Sequence, residues 1–423
     1  MTVGVGRGAR GVVVLLAVST IAMPVKGQAT PRAELLSPAR LDALPAAQRD
    51  AWTRYVARSR QLDSVNRAFM ENELRQAGAT TMRKATYARG FDVTPAMTDA
   101  WFRSDSARRL GESLLTYQTP AGGWAKRTDF SRPRQPGESW YAESAEWHYI
   151  GTIDNGSTTA QLRFLARLAA AHDEPRLRDA YLRGLAYLVD AQYPNGCWPQ
   201  VYPLQGGYSD AATFNDDAIV NVLEVLGDAA RGAVPFVPAA LRERAASAVR
   251  GGRDCLVATQ VVVNGVRTVW GQQHDPLTLA PIKARSYELA GLSGRESAQI
   301  LTYLLSLPDP TPREVEAIHA AAAYFERTKI HGYAYSFDTG LREQPGAGPI
   351  WARLREVETN RPIFANRDGV TIYDWNQLTD RRTGYAWYGT EPGSALQKYA
   401  KWVRAREKAG ARSDTTLPVR KQP

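Results

Sequence analysis

The sequence predicts a mainly α-helical protein: an α/α toroid of antiparallel helix pairs, with short strands and long loops at one face. Three observations predict it. The segments 114–124 (LLTYQTPAGGW), 188–198 (LVDAQYPNGCW) and, more weakly, 256–270 (LVATQVVVNGVRTVW) each end a helical run on Gln, then cross a Gly-containing turn to a Trp. Their glutamines, Gln118, Gln192 and Gln260, are 74 and 68 residues apart, the length of one long helical hairpin. Helical periodicity fills the intervals at 158–172, 175–192, 216–231 and 239–260 and continues at 294–307 and 311–327. Helix pairs repeated in this way wrap with one helix of each pair inside and the other outside. Outer helices then end, and inner helices begin, at one face. The loops 118–157, 192–215, 260–293 and 328–390 should meet there.

The flanks read differently. Arg7 and Arg10 precede an apolar run from Gly11 to Met23, and Gly27 and Ala29 offer cleavage points, so residues 1–29 read as a secretory signal peptide. Residues 30–95 are Ala/Arg-rich. Within them 46–76 has helical spacing, with Trp52, Tyr55, Val56, Leu62 and Val65 as its apolar stripe, and it reads as an N-terminal helical extension. The toroid is expected over 96–400, followed by a loose basic tail over 401–423.

Composition narrows the function. The chain has 423 residues, 44% hydrophobic and 23% charged, which excludes disorder, collagen and coiled coil. Trp (11) and Tyr (19) together outnumber Phe (10) three to one, which suits wet, ring-lined surfaces for sugars. Loss of residues 1–29 takes the net charge from +10 to +7, still basic, which favours a polyanion. With no membrane span after the leader and no nucleic-acid-reading motif, an acidic polysaccharide outside the cytoplasm is the remaining partner. The protein is expected to be secreted or periplasmic and monomeric. Cys197 and Cys255 can either pair in that oxidising compartment or stay as buried thiols.

Two acidic clusters open inner helices: 152–157 (TIDNGS) and 213–218 (TFNDDA). Helix capping is one explanation, since Asn, Ser and Asp cap N-termini and the dipole favours a carboxylate there. The other is a cation site: oxygen ligands without His or Cys suit a hard ion, calcium above all. Lys283 and Arg285 occupy one rim loop; Arg353, Arg355, Arg361, Arg367, Arg381 and Arg382 occupy another. Each can pair with a neighbouring acid, or several can converge to bind carboxylates bidentately. Trp124, Trp198 and Trp270 suit packing within the repeat, whereas 384–389 (GYAWYG) has no repeat partner and reads as a site loop. His274 is either a base or a hydrogen-bonded rim residue.

Taken with their order and spacing, GGWAKRTDF (122–130), TIDNGSTTAQLRFLA (152–166), AQYPNGCWPQVYPLQGGYSDAATFNDDA (191–218), WGQQHD (270–275), ARSYELAGLSGRES (284–297), TNRPIFANRDG (359–369) and RRTGYAWYG (381–389) resemble polysaccharide lyase family 10, the pectate lyases. The resemblance implies an incomplete α/α toroid and calcium-assisted β-elimination of polygalacturonate. It implies that Asp154 and Asp216 hold calcium (Ca2+) with Asn155 nearby, that Arg367 is the Brønsted base, and that Arg285, Arg353 and Arg382, together with Lys283 and Tyr385, bind substrate. Because positive neighbours would lower the proton affinity of Arg367, it also implies an alkaline rate optimum. Three other readings stand beside it. An inverting glycosidase could use Asp154 and Asp216 as acid and base. A pectin-binding module would use the same surface without chemistry. The Gln-turn-Gly-x-Trp repeats also resemble the QW motifs of triterpene cyclases, but a signal peptide, a basic rim and a single toroid oppose that.

Overall fold

A computed structural model describes residues 34–143 and 147–414; the expected signal peptide and the chain beyond 414 lie outside the described residues. Eleven described helices follow in order: α1 (Pro38–Asp42), α2 (Ala46–Gln76), α3 (Asp99–Phe102), α4 (Asp105–Thr116), α5 (Thr159–Ala171), α6 (Pro175–Asp190), α7 (Ala218–Ala230), α8 (Ala239–Thr259), α9 (Gly294–Ser306), α10 (Pro312–Arg327) and α11 (Glu391–Asp414). The six helices expected between residues 158 and 327 are all present, within two residues of their expected ends. Helices α5, α7, α9 and α11 neighbour one another in turn, and α4, α6, α8 and α10 do the same beside them, giving the two layers of an α/α toroid. No described helix is long and apolar enough to cross a membrane.

The repeat has a physical basis. Each Gln side-chain amide donates to a carbonyl of its own turn and to one on the next outer helix: Gln118 to Gly122 and Ala180, Gln192 to Gly196 and Ala248, Gln260 to Thr268 and Ala317. The Trp indoles donate back to the end of the preceding outer helix, Trp124 to Leu114, Trp198 to Leu188 and Trp270 to Leu256, at 2.7–2.9 Å. All three rings are fully buried, so their role is structural. A fourth unit, not visible in the sequence, ends on Trp351, whose indole donates to Phe325 at 2.8 Å. It lacks the Gln and interposes a hairpin (Tyr333–Ser336 with Gly340–Glu343), which hides the pattern.

Two-residue antiparallel pairs stitch the four rim loops together. Gly151–Thr152 pairs with Val201–Tyr202, Ala212–Thr213 with Gln273–His274, and Leu292–Ser293 with Leu354–Arg355. Cys197 and Cys255 form a disulfide, Cα atoms 5.3 Å apart, that ties the second loop to α8.

The flanks depart from expectation in part. The helix expected at 46–76 is present, and the described part of the extension packs on the toroid: Leu36, Leu41, Trp52, Tyr55 and Val56 belong to the same core cluster. Tyr55 donates to the Ala191 carbonyl and its ring packs on Tyr193 and Tyr202. Val65, expected in the buried stripe, is 56% exposed, because the buried face of the helix runs through Ser59 and Asn66 and leaves Val65 on the outer side. Residues 401–414, expected as loose, continue α11, which packs on α9 and α10.

Candidate active site

The two acidic clusters form matching 3₁₀ turns, Asp154–Gly156 before α5 and Asn215–Asp217 before α7. Neither turn caps its helix: the residues at the starts of α5 and α7, Thr158 and Asp217, make no side-chain cap hydrogen bond. Asn155 (φ 52°), Thr158 (φ 63°), Asp216 (φ 50°) and Asp217 (φ 62°) instead adopt left-handed backbone, which costs a non-glycine residue on the order of 1–3 kcal/mol. That cost is offset by the pairs below, which hold the turns in one geometry.

The turns meet. The Asn155 amide donates to Asp216 Oδ2 at 2.6 Å, and the Asn215 amide reaches the same oxygen at 3.3 Å. Lys126 and Gln200 both donate to Asp154 Oδ2, at 2.6 and 2.7 Å, and Arg295 lies 3.7 Å from Asp216. Burial opposes the charge on Lys126, but Asp154 outweighs it and holds the ammonium above its ordinary range. Burial first, then Asp154 and Glu296, push the Asp216 carboxyl up. Asp217, raised chiefly by burial, reaches about 6.

Beside them lies a buried ion pair in which the expected Arg353 meets an acid, Glu296, that sequence reasoning missed. Arg353 bonds Glu296 at 2.6 Å, the two side chains 6% and 0% exposed, and reaches Asn215 at 3.3 Å. Gln272 and the Ser293 hydroxyl also donate to Glu296. Burial works against Glu296's charge, but Arg353, the Ser293 hydroxyl and Arg295 together outweigh it and leave the carboxyl below its usual range. The available signal was Glu296 standing in ARSYELAGLSGRES at the head of the third inner helix. Lys126, Gln200 and Arg295 were missed for a related reason: each matters only through a partner distant in sequence.

The other expected residues are placed as follows. Arg285 pairs with Glu288 at 2.9 Å, and both Arg285 and Asp154 act on the Tyr208 hydroxyl. The Arg367 loop lies against the Arg285 loop, a Cβ on Gly369 falling 3.1 Å from the Ser286 carbonyl oxygen. Arg367 itself is 62% exposed, with Asp380 4.0 Å away. Lys283 is exposed, without an ion pair among the described residues. Arg382 lies over Trp375 at 5.6 Å, while its neighbour Arg381 covers Tyr287 at 4.2 Å. Tyr385 is not an open plate for a sugar: it is buried, with Arg353 over its ring at 4.7 Å and Trp387 at 4.6 Å. His274 is fully buried, with both ring nitrogens engaged by Leu279 and Gly271, and burial lowers its pKa to about 4. It is a structural rim residue.

Among the described residues no three His, Cys, Asp or Glu side chains gather as a metal cluster. The donors present nonetheless fit a hard cation. Asp154 and Asp216 repel each other, Asp217 Oδ1 is buried without a hydrogen-bond partner, and every donor is oxygen.

The family model described as pectic acid lyase matches residues 118–396. A family 10 polysaccharide lyase from Cellvibrio cellulosa is 36% identical, with a TM-score of 0.63, covering 74% of this chain and 98% of that one. An aspartate-to-alanine mutant of a family 10 lyase from the same organism, in complex with trigalacturonic acid, is also 36% identical, with a TM-score of 0.63 and 73% and 99% coverage. No curated protein matches. A glycosidase, a cyclase and a binding module without activity are thereby set aside. With a match that spans the toroid and the rim carrying the paired acidic turns, the chain belongs to the pectic acid lyases of polysaccharide lyase family 10 and is a polysaccharide lyase.

Proposed function

We propose that this lyase acts outside the cytoplasm on polygalacturonate, cleaving it by calcium-assisted β-elimination. The observation that supports it most is the Asn155–Asp216 contact, which joins two uncapped acidic turns beside Lys126, Arg295 and Arg353. The C5 hydrogen of a galacturonate is weakly acidic because the adjacent carboxylate is already negative. Calcium, held by Asp154 and Asp216 with Asn155 beside them, would supply positive charge at that carboxylate when bound. Arg285 and Lys283 line the rim loop and orient uronate carboxylates, and Arg382 sits further out. Arg353, fixed and charge-balanced by Glu296, holds Asn215 from beneath. Arg367, entering neutral, accepts the C5 hydrogen as a proton; the electron pair forms the C4–C5 double bond, and the C4–O bond breaks with its pair leaving on the glycosidic oxygen, which takes a proton from water. The product carries a 4,5-unsaturated end.

A second assignment exchanges two roles. Arg285 and Asp154 both act electrostatically on Tyr208, whereas the acid nearest Arg367 is Asp380. Polygalacturonate digestion followed at the ultraviolet band of the conjugated alkene tests both, with and without chelator. Loss of turnover with retained polymer binding in Arg367→Ala supports the first. The same outcome confined to Arg285→Ala supports the second. Chelator-insensitive turnover removes calcium from the proposal, and no alkene removes the elimination.

A further inference from the structure

A cavity of about 360 Å³ opens from the rim turns into the toroid, between residues 89–92 and the inner helices α5, α7 and α9. That is room for a sugar-sized ligand. Its charged lining is Arg89, Arg127, Arg163 and Arg295 against Asp92 and Asp216. Residues 89–92 lie outside the segment matched by the family model, which begins at 118.

The wall they form is docked. Ala88 N donates to the Arg127 carbonyl at 2.9 Å and Asp129 N to the Thr86 carbonyl at 3.0 Å, around a Tyr87–Thr128 bridge. Phe91 then packs edge-on against Phe130 and Phe164, centroids 5.4 and 5.5 Å away. Gly90 passes within reach of Arg127, a Cβ there falling 3.7 Å from its Nη1.

The cations are not equally engaged. Arg163 is taken up by Asn221 and Glu224 at 3.0 and 2.7 Å, whereas Arg295 stands off at 3.7 Å from Asp216. Arg127 makes only long contacts, its Nε 3.6 Å from Glu143 and a terminal nitrogen 3.5 Å from Asn155. Arg89 is exposed and has no ion pair among the described residues. A neutral sugar would leave these guanidiniums idle, and a second cation would be repelled. A carboxylate-bearing sugar suits them.

We propose that Arg89, with Arg127 and Arg295, forms a subsite for the carboxylate of a uronate next to the one seated at the Asn155–Asp216 turns, which also border this cavity. The inference rests on the polygalacturonate reading above. Arg89 is thus a specificity residue for chain length.

The test compares wild type, Arg89→Ala and Arg89→Lys on trigalacturonate and on polygalacturonate, with calorimetric binding of hexagalacturonate as an independent arm. Arg89→Ala is expected to raise KM for the polymer about 3- to 10-fold more than for the trimer, with kcat for the polymer kept and Arg89→Lys partly restoring KM. Hexagalacturonate binding should weaken by a similar factor at low salt and less at high salt. Equal changes for trimer and polymer, or none in either arm, overturn the subsite. Absence of alkene from wild type overturns the elimination instead, and the calorimetric arm still decides Arg89.

Discussion

The Asn155 amide donates to Asp216 Oδ2 at 2.6 Å, so two turns far apart in sequence share one carboxylate oxygen. The contact does two things at once. It holds two left-handed backbones in register, and it aims the remaining Asp216 oxygen away from the amide. Asn155→Ala removes the clamp. Calcium titration of the elimination rate should show an apparent affinity about 10- to 100-fold weaker, the range for losing a partner that orients a metal ligand. Asp216→Asn should abolish the calcium response; an unchanged titration in both variants would place the metal elsewhere.

Among the described residues, Glu296 is the carboxylate bonded to the buried Arg353 guanidinium. Glu296→Gln leaves that charge uncompensated and should lower stability by about 3 kcal/mol, read by urea denaturation. Pairing Glu296→Leu with Arg353→Met should recover much of the stability without recovering turnover. A single variant as stable as wild type would show that the pair carries little of the local order.

Gly252 tests the packing of the repeat. A Cβ there would sit 2.5 Å from Leu223 Cδ2 and 2.8 Å from the Trp198 ring. Alanine gains about 1 kcal/mol of helix propensity over glycine, but the overlap costs about 1–3 kcal/mol. The clash should win, and the thermal midpoint of Gly252→Ala should fall. A rise would mean that α8 can shift away from Trp198.

Stability against pH carries opposed contributions. Burial holds His274 at about 4 against about 6.5 in the unfolded chain, so the folded state binds fewer protons between those values. Its contribution is complete above pH 6.5 and is lost as pH falls toward 4, on the order of 3 kcal/mol. Asp210 runs the other way. Burial lifts it to about 6, so its contribution is present in acid and is lost as pH rises through 6. Thermal melts at pH 4.5 and 7 should show a smaller acid loss in His274→Gln than in wild type. Equal losses would show that charging this imidazole carries no penalty.

The helical hairpins, the Gln and Trp positions and the rim loops were legible in the sequence because they follow local rules: 3.6-residue periodicity, turn glycines and a repeat length. The acidic turns and the basic rim residues were legible as a set for the same reason. What no local rule carries is which member of a set faces which partner. Arg381 rather than Arg382 covers Tyr287, and Tyr385 is buried under Arg353 instead of standing open. Glu296, Lys126 and Arg295 acquire meaning only where separate inner helices begin side by side.

The sequence by itself determined the layers, the family and the chemical kind of residue at the rim, because apolar period and turn chemistry act between neighbours in the chain. The tertiary structure alone decided that Asn155 meets Asp216, that Arg353 is locked to Glu296, and that residues 89–92 wall the cavity. Those are contacts across long chain separations, set by how four stitched loops close over the ends of packed helices, and Coulomb and hydrogen-bond energies depend on that distance and burial rather than on sequence order.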